Sequence, residues 1–183
     1  MIETEQTVLI DVGIDRVWDY VRDIRRWASI TPGYRDCTVV DANESRWTLK
    51  VGVGGLVRTV NVLVHVDAWT GPERVSFSYK LQGDPVAGGG SYVATRKGAQ
   101  TEVTLRVRVE GSGPVAPMWE AMGSPLLPQF AKSFAGQLKA EIEKAAGVSA
   151  SQDILVANTP SMFAAIGNRL RKIWRAIFGS KAH

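Results

Sequence analysis

With 183 residues, and 22 Lys and Arg against 18 Asp and Glu, the chain is long enough for one domain with a sizeable core plus an appendage. Its net charge of +4 is local: residues 161–183 hold five basic side chains and no acidic ones, leaving 17 basic and 18 acidic before them, which argues against the basic domain surface that nucleic acids require. The single cysteine, Cys37, excludes an intramolecular disulfide, and no apolar run approaches the roughly 20 residues of a simple membrane-spanning helix.

The chain opens as a strand over residues 7–11, with Val8, Ile10 and Val12 in alternation. It lacks a basic-then-apolar signal segment, which points to the cytoplasm. A short helix capped near Asp15 follows through Val17, Trp18, Tyr20, Val21 and Ile24, then a turn from Trp27 to Ile30 that ends at Thr31-Pro32-Gly33. After that the apolar period becomes two. Trp47, Leu49, Val51 and Val53 form one such face, and Val60, Val62, Val64 and Val66 form the next. Val75, Phe77, Tyr79 and Leu81, and later Val103, Leu105, Val107 and Val109, repeat the pattern. Each strand has one apolar and one mostly polar face, as in an antiparallel sheet covered on one side.

The cover follows. A segment with Met118, Trp119 and Met122 precedes Ser124-Pro125, which reads as an N-cap with proline at the first helical position. Leu126, Leu127, Phe130, Phe134, Leu138 and Ile142 give a helical stripe, closed by Gly147. The predicted fold is α+β: a helix grip, with a curved antiparallel sheet wrapped around a long C-terminal helix. The domain is assigned to residues 1–146, a linker to 147–160, and an amphipathic helix to 161–183.

This order resembles the START-like superfamily of polyketide cyclases and lipid-transport proteins. In detail it resembles the CoxG family, which is associated with carbon monoxide dehydrogenases. The residues carrying the likeness are Asp15-Arg16-Val17-Trp18, Trp27 ahead of Thr31-Pro32-Gly33, Lys50-Val51-Gly52-Val53-Gly54, Gly88-Gly89-Gly90 and Gln129-Phe130. The likeness covers about residues 3–146. Tyr34 stands where many relatives have cysteine, and Pro125 and Pro128 interrupt what is often a smoother helix. The resemblance implies a protein that recruits a molybdenum oxidoreductase to the membrane and links it to respiratory quinone, menaquinone or ubiquinone.

The residues themselves argue against catalysis. No His, Asp or Glu falls in phase with the inward faces, and general acid–base chemistry needs a titratable group within reach of substrate. His65 shares the polar face of Asn61 and Asp67. Asp23, Asp36 and Glu120, near the expected mouth, are the exceptions. There is no metal-ligand spacing and no phosphate loop. Gly52, Gly54 and Gly55, and Gly88-Gly89-Gly90, read as strand bends or bulges, and Cys37 as a small buried apolar group. Neither catalytic nor metal-binding residues are assigned.

A hydrophobic ligand site is expected between sheet and helix. Its candidate lining is Trp27, Ile30, Pro32, Gly33, Tyr79, Met118, Trp119, Met122, Leu126, Leu127, Phe130 and Phe134. Adaptable methionines and flat aromatics suit a quinone, a fatty acyl chain or a polyketide. In the tail, Phe163, Ile166, Leu170, Ile173, Trp174, Ile177 and Phe178 fall on one helical face, with Arg169, Arg171, Lys172 and Arg175 interspersed toward the other side. That composition fits a helix lying on an anionic membrane surface; docking on a partner protein or on the chain's own domain are the rivals. The expectation is a non-enzymatic binder of quinone or lipid, peripheral on the inner face of the cell membrane. A general lipid-transfer module and a polyketide cyclase or aromatase are the alternatives.

Overall fold

The computed structural model describes residues 1–53 and 56–148. Strand β1 (Ile2–Ile10) leads into helices α1 (Ile14–Val21) and α2 (Ile24–Ser29). Six strands follow: β2 (Tyr34–Val39), β3 (Glu44–Val53), β4 (Leu56–Thr70), β5 (Arg74–Leu81), β6 (Val86–Lys97) and β7 (Gln100–Gly111). A single 3-10 turn, Gly113–Val115, then enters helix α3 (Ala116–Ala145). The sheet is antiparallel throughout, in the order β1-β7-β6-β5-β4-β3-β2. This is the helix-grip α+β fold expected from the period-two pattern.

Alternation decides which side chains meet. Register puts Ile2, Val109, Gly88, Tyr79 and Val64 in one row across the covered face. The next row holds Thr4, Val107, Gly90, Phe77 and Val66, and the third holds Gln6, Leu105, Tyr92, Val75 and Trp69. The opposite face is mostly polar, although Leu9 and Leu63 stand exposed on it, with Arg106 of β7 paired to Glu5 of β1 and Ser78 of β5 donating to Asp67 of β4 at 2.8 Å. These exposed pairs add little stability. The energy lies in the core under the covered face, where Ile10, Val75 and Val103 of the sheet and Val17 and Val21 of α1 are fully buried, each worth about 1.5–3 kcal/mol.

Helix α3 lies on β1 and β7. Ala131, Ala135, Leu138 and Ile142 form its buried row, and the small alanines allow close approach. A polar clasp fixes its C-terminal half: Lys139 Nζ donates to the Leu9 carbonyl at 2.7 Å, and Glu143 Oε1 accepts from the Asp11 amide at 2.8 Å. Further up the helix, Gly123 faces the Ile2 side chain, where a Cβ would come within 2.5 Å.

Several local expectations change. β1 starts at Ile2, not residue 7, and Val12 lies beyond it. Gly13, not Asp15, occupies the N-cap of α1. Ile24 belongs to α2, whose N-cap Asp23 accepts from the Arg25 amide. α3 runs through Ser124-Pro125 instead of starting there. Pro125 and Pro128 sit on its exposed side, where carbonyls that lose a helical donor can turn to water. The glycine run 88–90 is not a bulge, because β6 keeps its register with both neighbours. A Cβ on Gly90 would lie 2.2 Å from the Arg106 carbonyl oxygen and 2.7 Å from the Phe77 ring. The glycines let the rings of β5 lie across β6. Gly54 and Gly55, the linker beyond Val148, and the tail helix of residues 161–183 lie outside the described residues.

Gly90→Val should therefore destabilise the domain by roughly 2–4 kcal/mol, read as a lower urea midpoint at unchanged slope. Burial pushes the hydroxyl pKa values of Tyr79 and Tyr92 upward. Their contribution is complete below the ordinary tyrosine value near pH 10. Above it the unfolded chain releases protons that the folded chain keeps, so stability falls by up to about 1.4 kcal/mol per pH unit for each. Urea midpoints between pH 10 and 11.5 should drop more steeply for the wild type than for Tyr79→Phe/Tyr92→Phe.

Candidate functional site

The candidate site is the covered face of β3–β6, beside the strip that α3 occupies. Trp27 reaches it from α2. Its ring meets Phe77 of β5 edge-on, with centroids 6.0 Å apart, and lies tilted against Trp69 of β4 at 6.1 Å. Trp18 of α1 also stands edge-on to Trp69, at 6.0 Å. Such pairs contribute about 0.5–1.5 kcal/mol beyond area burial. Trp69 faces inward because of a register shift between Val66 and Ala68, which reverses the phase of β4.

Most of the polar atoms here are satisfied. Trp69 Nε1 donates to Asn43 Oδ1 at 3.0 Å, and Trp47 Nε1 to Ser45 Oγ at 2.8 Å. Tyr79 Oη passes over Gly88 and donates to the Arg108 carbonyl at 2.9 Å. Thr31 Oγ1 donates to the Trp27 carbonyl and Thr101 Oγ1 to the Val12 carbonyl. Two atoms differ: Trp27 Nε1 and Tyr92 Oη are buried without a partner. The raised pKa of Tyr92, caused by burial, keeps that hydroxyl protonated.

Among the described residues, the buried polar side chains are Thr31, Ser45 and Thr101, and none is ionised. His65 is about half exposed on the outer face, 3.4 Å from Glu44. Asp23 caps α2 and pairs with Arg26, Asp36 is exposed, and Glu120 pairs with the Met1 amino group. Cys37 is half-buried, and burial raises its thiol pKa, which opposes nucleophilic use at neutral pH. Among the described residues no cluster of His, Cys, Asp and Glu is placed to hold a metal, and no helix is long and apolar enough to cross a membrane. An open surface groove of about 620 Å³ beside α1 and α2 includes Asp19, Arg22, Asp23 and Arg26. It holds two ion pairs, Asp19 with Arg22 and Asp23 with Arg26, and the further charges of Arg25 and Asp41, so it makes a poor site for an apolar molecule.

The candidate residues divide by position. Trp27 and Ile30 are buried in the core, whereas Pro32 is half-buried and Gly33 exposed. Gly33 has φ +81°, and its carbonyl accepts from the Lys50 amide at 2.7 Å, holding that turn on β3. Tyr79 and Phe134 are half-buried against the core. Leu127 is buried, and Leu126 and Phe130 are half-buried. Met118, Trp119 and Met122 fall within α3, with side chains outside the described set. Trp27, Phe77 and Tyr79 share the site, along with Trp69 and Tyr92, which the sequence reasoning missed. Alternation placed Phe77 beside Tyr79 and could have nominated it. Tyr92 was hidden behind the glycine run and Trp69 behind the phase reversal.

The fold is shared with solved structures. A conserved protein from Geobacillus kaustophilus superposes with a TM-score of 0.68 at 16% identity, covering 79% of this chain and 97% of its own. A START superfamily protein from Mycobacterium smegmatis gives 0.61 at 14%, covering 78% and 98%. The Zhui aromatase/cyclase from Streptomyces sp. R1128 gives 0.58 at 18%, covering 84% and 99%. No curated protein matches the chain. A family model described as polyketide cyclase / dehydrase and lipid transport matches residues 1–143. With four-fifths of its length inside that match and a sheet that grips its long helix, the chain belongs to the polyketide cyclase/dehydrase and lipid transport family.

Proposed function

We propose that the chain is a non-enzymatic carrier of a hydrophobic ligand, quinone or lipid, working at the cytoplasmic face of the membrane. The observation that carries this reading is the covered face itself. It is apolar and aromatic, Phe77, Tyr79 and Leu81 are only half-buried there, and no ionised side chain is buried among the described residues. Such a surface can bind an apolar molecule but supplies no acid or base to transform it. Of the candidate ligands, an isoprenoid quinone fits best, its flat head suited to the aromatic band and its tail to the apolar side chains of β4 and β5. Recruitment of a carbon monoxide dehydrogenase-like molybdenum oxidoreductase is the physiological role proposed with it.

A cyclase or aromatase reading draws on the family description and on the likeness to the Zhui fold. On β3 to β6 it would have to use hydroxyl and indole donors, the polar side-chain groups of that part of the covered face. The basic amphipathic sequence of residues 161–183 supports membrane attachment, at about 1 kcal/mol for each cation near an anionic surface.

Native mass spectrometry of the full chain, extracted gently from membranes, should reveal an adduct with the mass of a quinone or lipid. A bare protein that also fails to bind added quinone or lipid would end the carrier reading. In a sedimentation assay with anionic vesicles, the full chain should pellet and a chain ending at residue 158 should stay in solution. Ile173→Glu with Trp174→Glu should release the full chain. High salt should weaken its attachment without abolishing it, because charge is screened while apolar burial persists. Equal pelleting of the long and short chains would refute membrane attachment through the tail.

A further inference from the structure

We infer that Trp27 Nε1 and Tyr92 Oη form a two-point hydrogen-bonding anchor for an uncharged oxygen on the ligand, so that the site selects a neutral carbonyl-bearing molecule over a fatty-acid anion. The inference rests on the carrier reading above and specifies its ligand. Both side chains are more than nine-tenths buried, Trp27 at 6% exposure and Tyr92 at 1%, and neither polar atom has a hydrogen-bond partner. A buried donor without a partner is expensive, and native proteins keep few of them.

These two belong to one buried cluster, and Phe77 packs against it. Trp27 lies 6.0 Å from Phe77, and Phe77 stands opposite Gly90. Tyr92 is two residues beyond Gly90 on the same face, opposite Val75, within diagonal reach for an aromatic side chain. The indole can only donate. The hydroxyl, held protonated by burial, can donate as well. Two unpartnered donors in one apolar cluster can serve an oxygen with two lone pairs. A carboxylate would also accept, but no cation is buried with it among the described residues, and an unpaired buried charge is far costlier than a buried carbonyl.

The test uses the full chain with N-phenyl-1-naphthylamine as fluorescent reporter and three competitors: 2-decyl-1,4-naphthoquinone, 2-decylnaphthalene and dodecanoate. The wild type should bind the quinone most tightly. Tyr92→Phe and Trp27→Phe should each weaken the quinone about 3- to 10-fold and leave 2-decylnaphthalene within twofold. Without ligand, Tyr92→Phe should melt at or above the wild-type temperature, since it removes an unsatisfied hydroxyl. Should Trp27→Phe fail to fold, Tyr92→Phe carries the test alone. Unchanged quinone affinity in Tyr92→Phe overturns the anchor while the carrier reading stands. So does a clear drop in its melting temperature, which would mean that an internal water or protein group already satisfies the hydroxyl. Dodecanoate binding as tightly as the quinone overturns the selection for a neutral ligand. A wild type that binds neither the reporter nor any competitor overturns the carrier reading and the anchor with it.

Discussion

The structure depends on the pairing of β1 with β7. Nine residue pairs, from Ile2 with Val109 to Ile10 with Thr101, join the first strand to the last. That ladder builds the platform on which α3 lies, and the Leu9 carbonyl and Asp11 amide that hold Lys139 and Glu143 belong to its end and to the turn beyond. Without β1, Leu138 and Ile142 would lose the surface that buries them, and the helix would lose its clasp. The polar clasp fixes the helix along its length, which apolar contact alone would leave free to slide.

The placement of α3 divides the covered face. One strip, on β1 and β7, is spent on the helix. The remainder, on β3 to β6, is met by aromatic rings from α2 and from the strands themselves. A band of flat rings over glycine is a different surface from interdigitated aliphatic packing. It presents planar faces with few side-chain torsions to order, so a flat ligand can be received with little loss of conformational freedom. The glycines of β6 and the aromatics of β5 are one device, because each ring occupies the space its opposing glycine leaves.

The fold was legible because its signal is periodic. Val60 to Val66 and Val103 to Val109 alternate cleanly, and each set faces the side that alternation assigns. The site was legible only in part, for local reasons. A single shift near Val66 reversed the phase of β4 and turned Trp69 inward, and no composition rule announces a bulge. Gly88-Gly89-Gly90 suggested a bend because glycine usually weakens a strand. Its reason lay in the partner strand's rings, a tertiary fact. Ser124-Pro125 carried a good helix-start signature, yet the helix passes through it, since prolines on a solvent-facing side cost a helix less than prolines turned toward its packing partner. Trp27 was found because it follows a short helical pattern, but its unpartnered nitrogen is a property of three-dimensional neighbours that no spacing encodes.

The same first-to-last pairing has a consequence for biosynthesis. β1 leaves the ribosome with an apolar row, Ile2, Val8 and Ile10, and its partner does not exist until residue 100 and beyond have been made. Among the described residues, its sheet partner is β7, the last strand in the chain order. The nascent chain therefore carries an unpaired edge until β7 has emerged, and the closing step is a long-range loop closure of the kind that folds slowly. The alternating Glu3 and Glu5 on that strand place charge beside the apolar row, which discourages premature edge-to-edge pairing between neighbouring nascent chains while β7 is awaited.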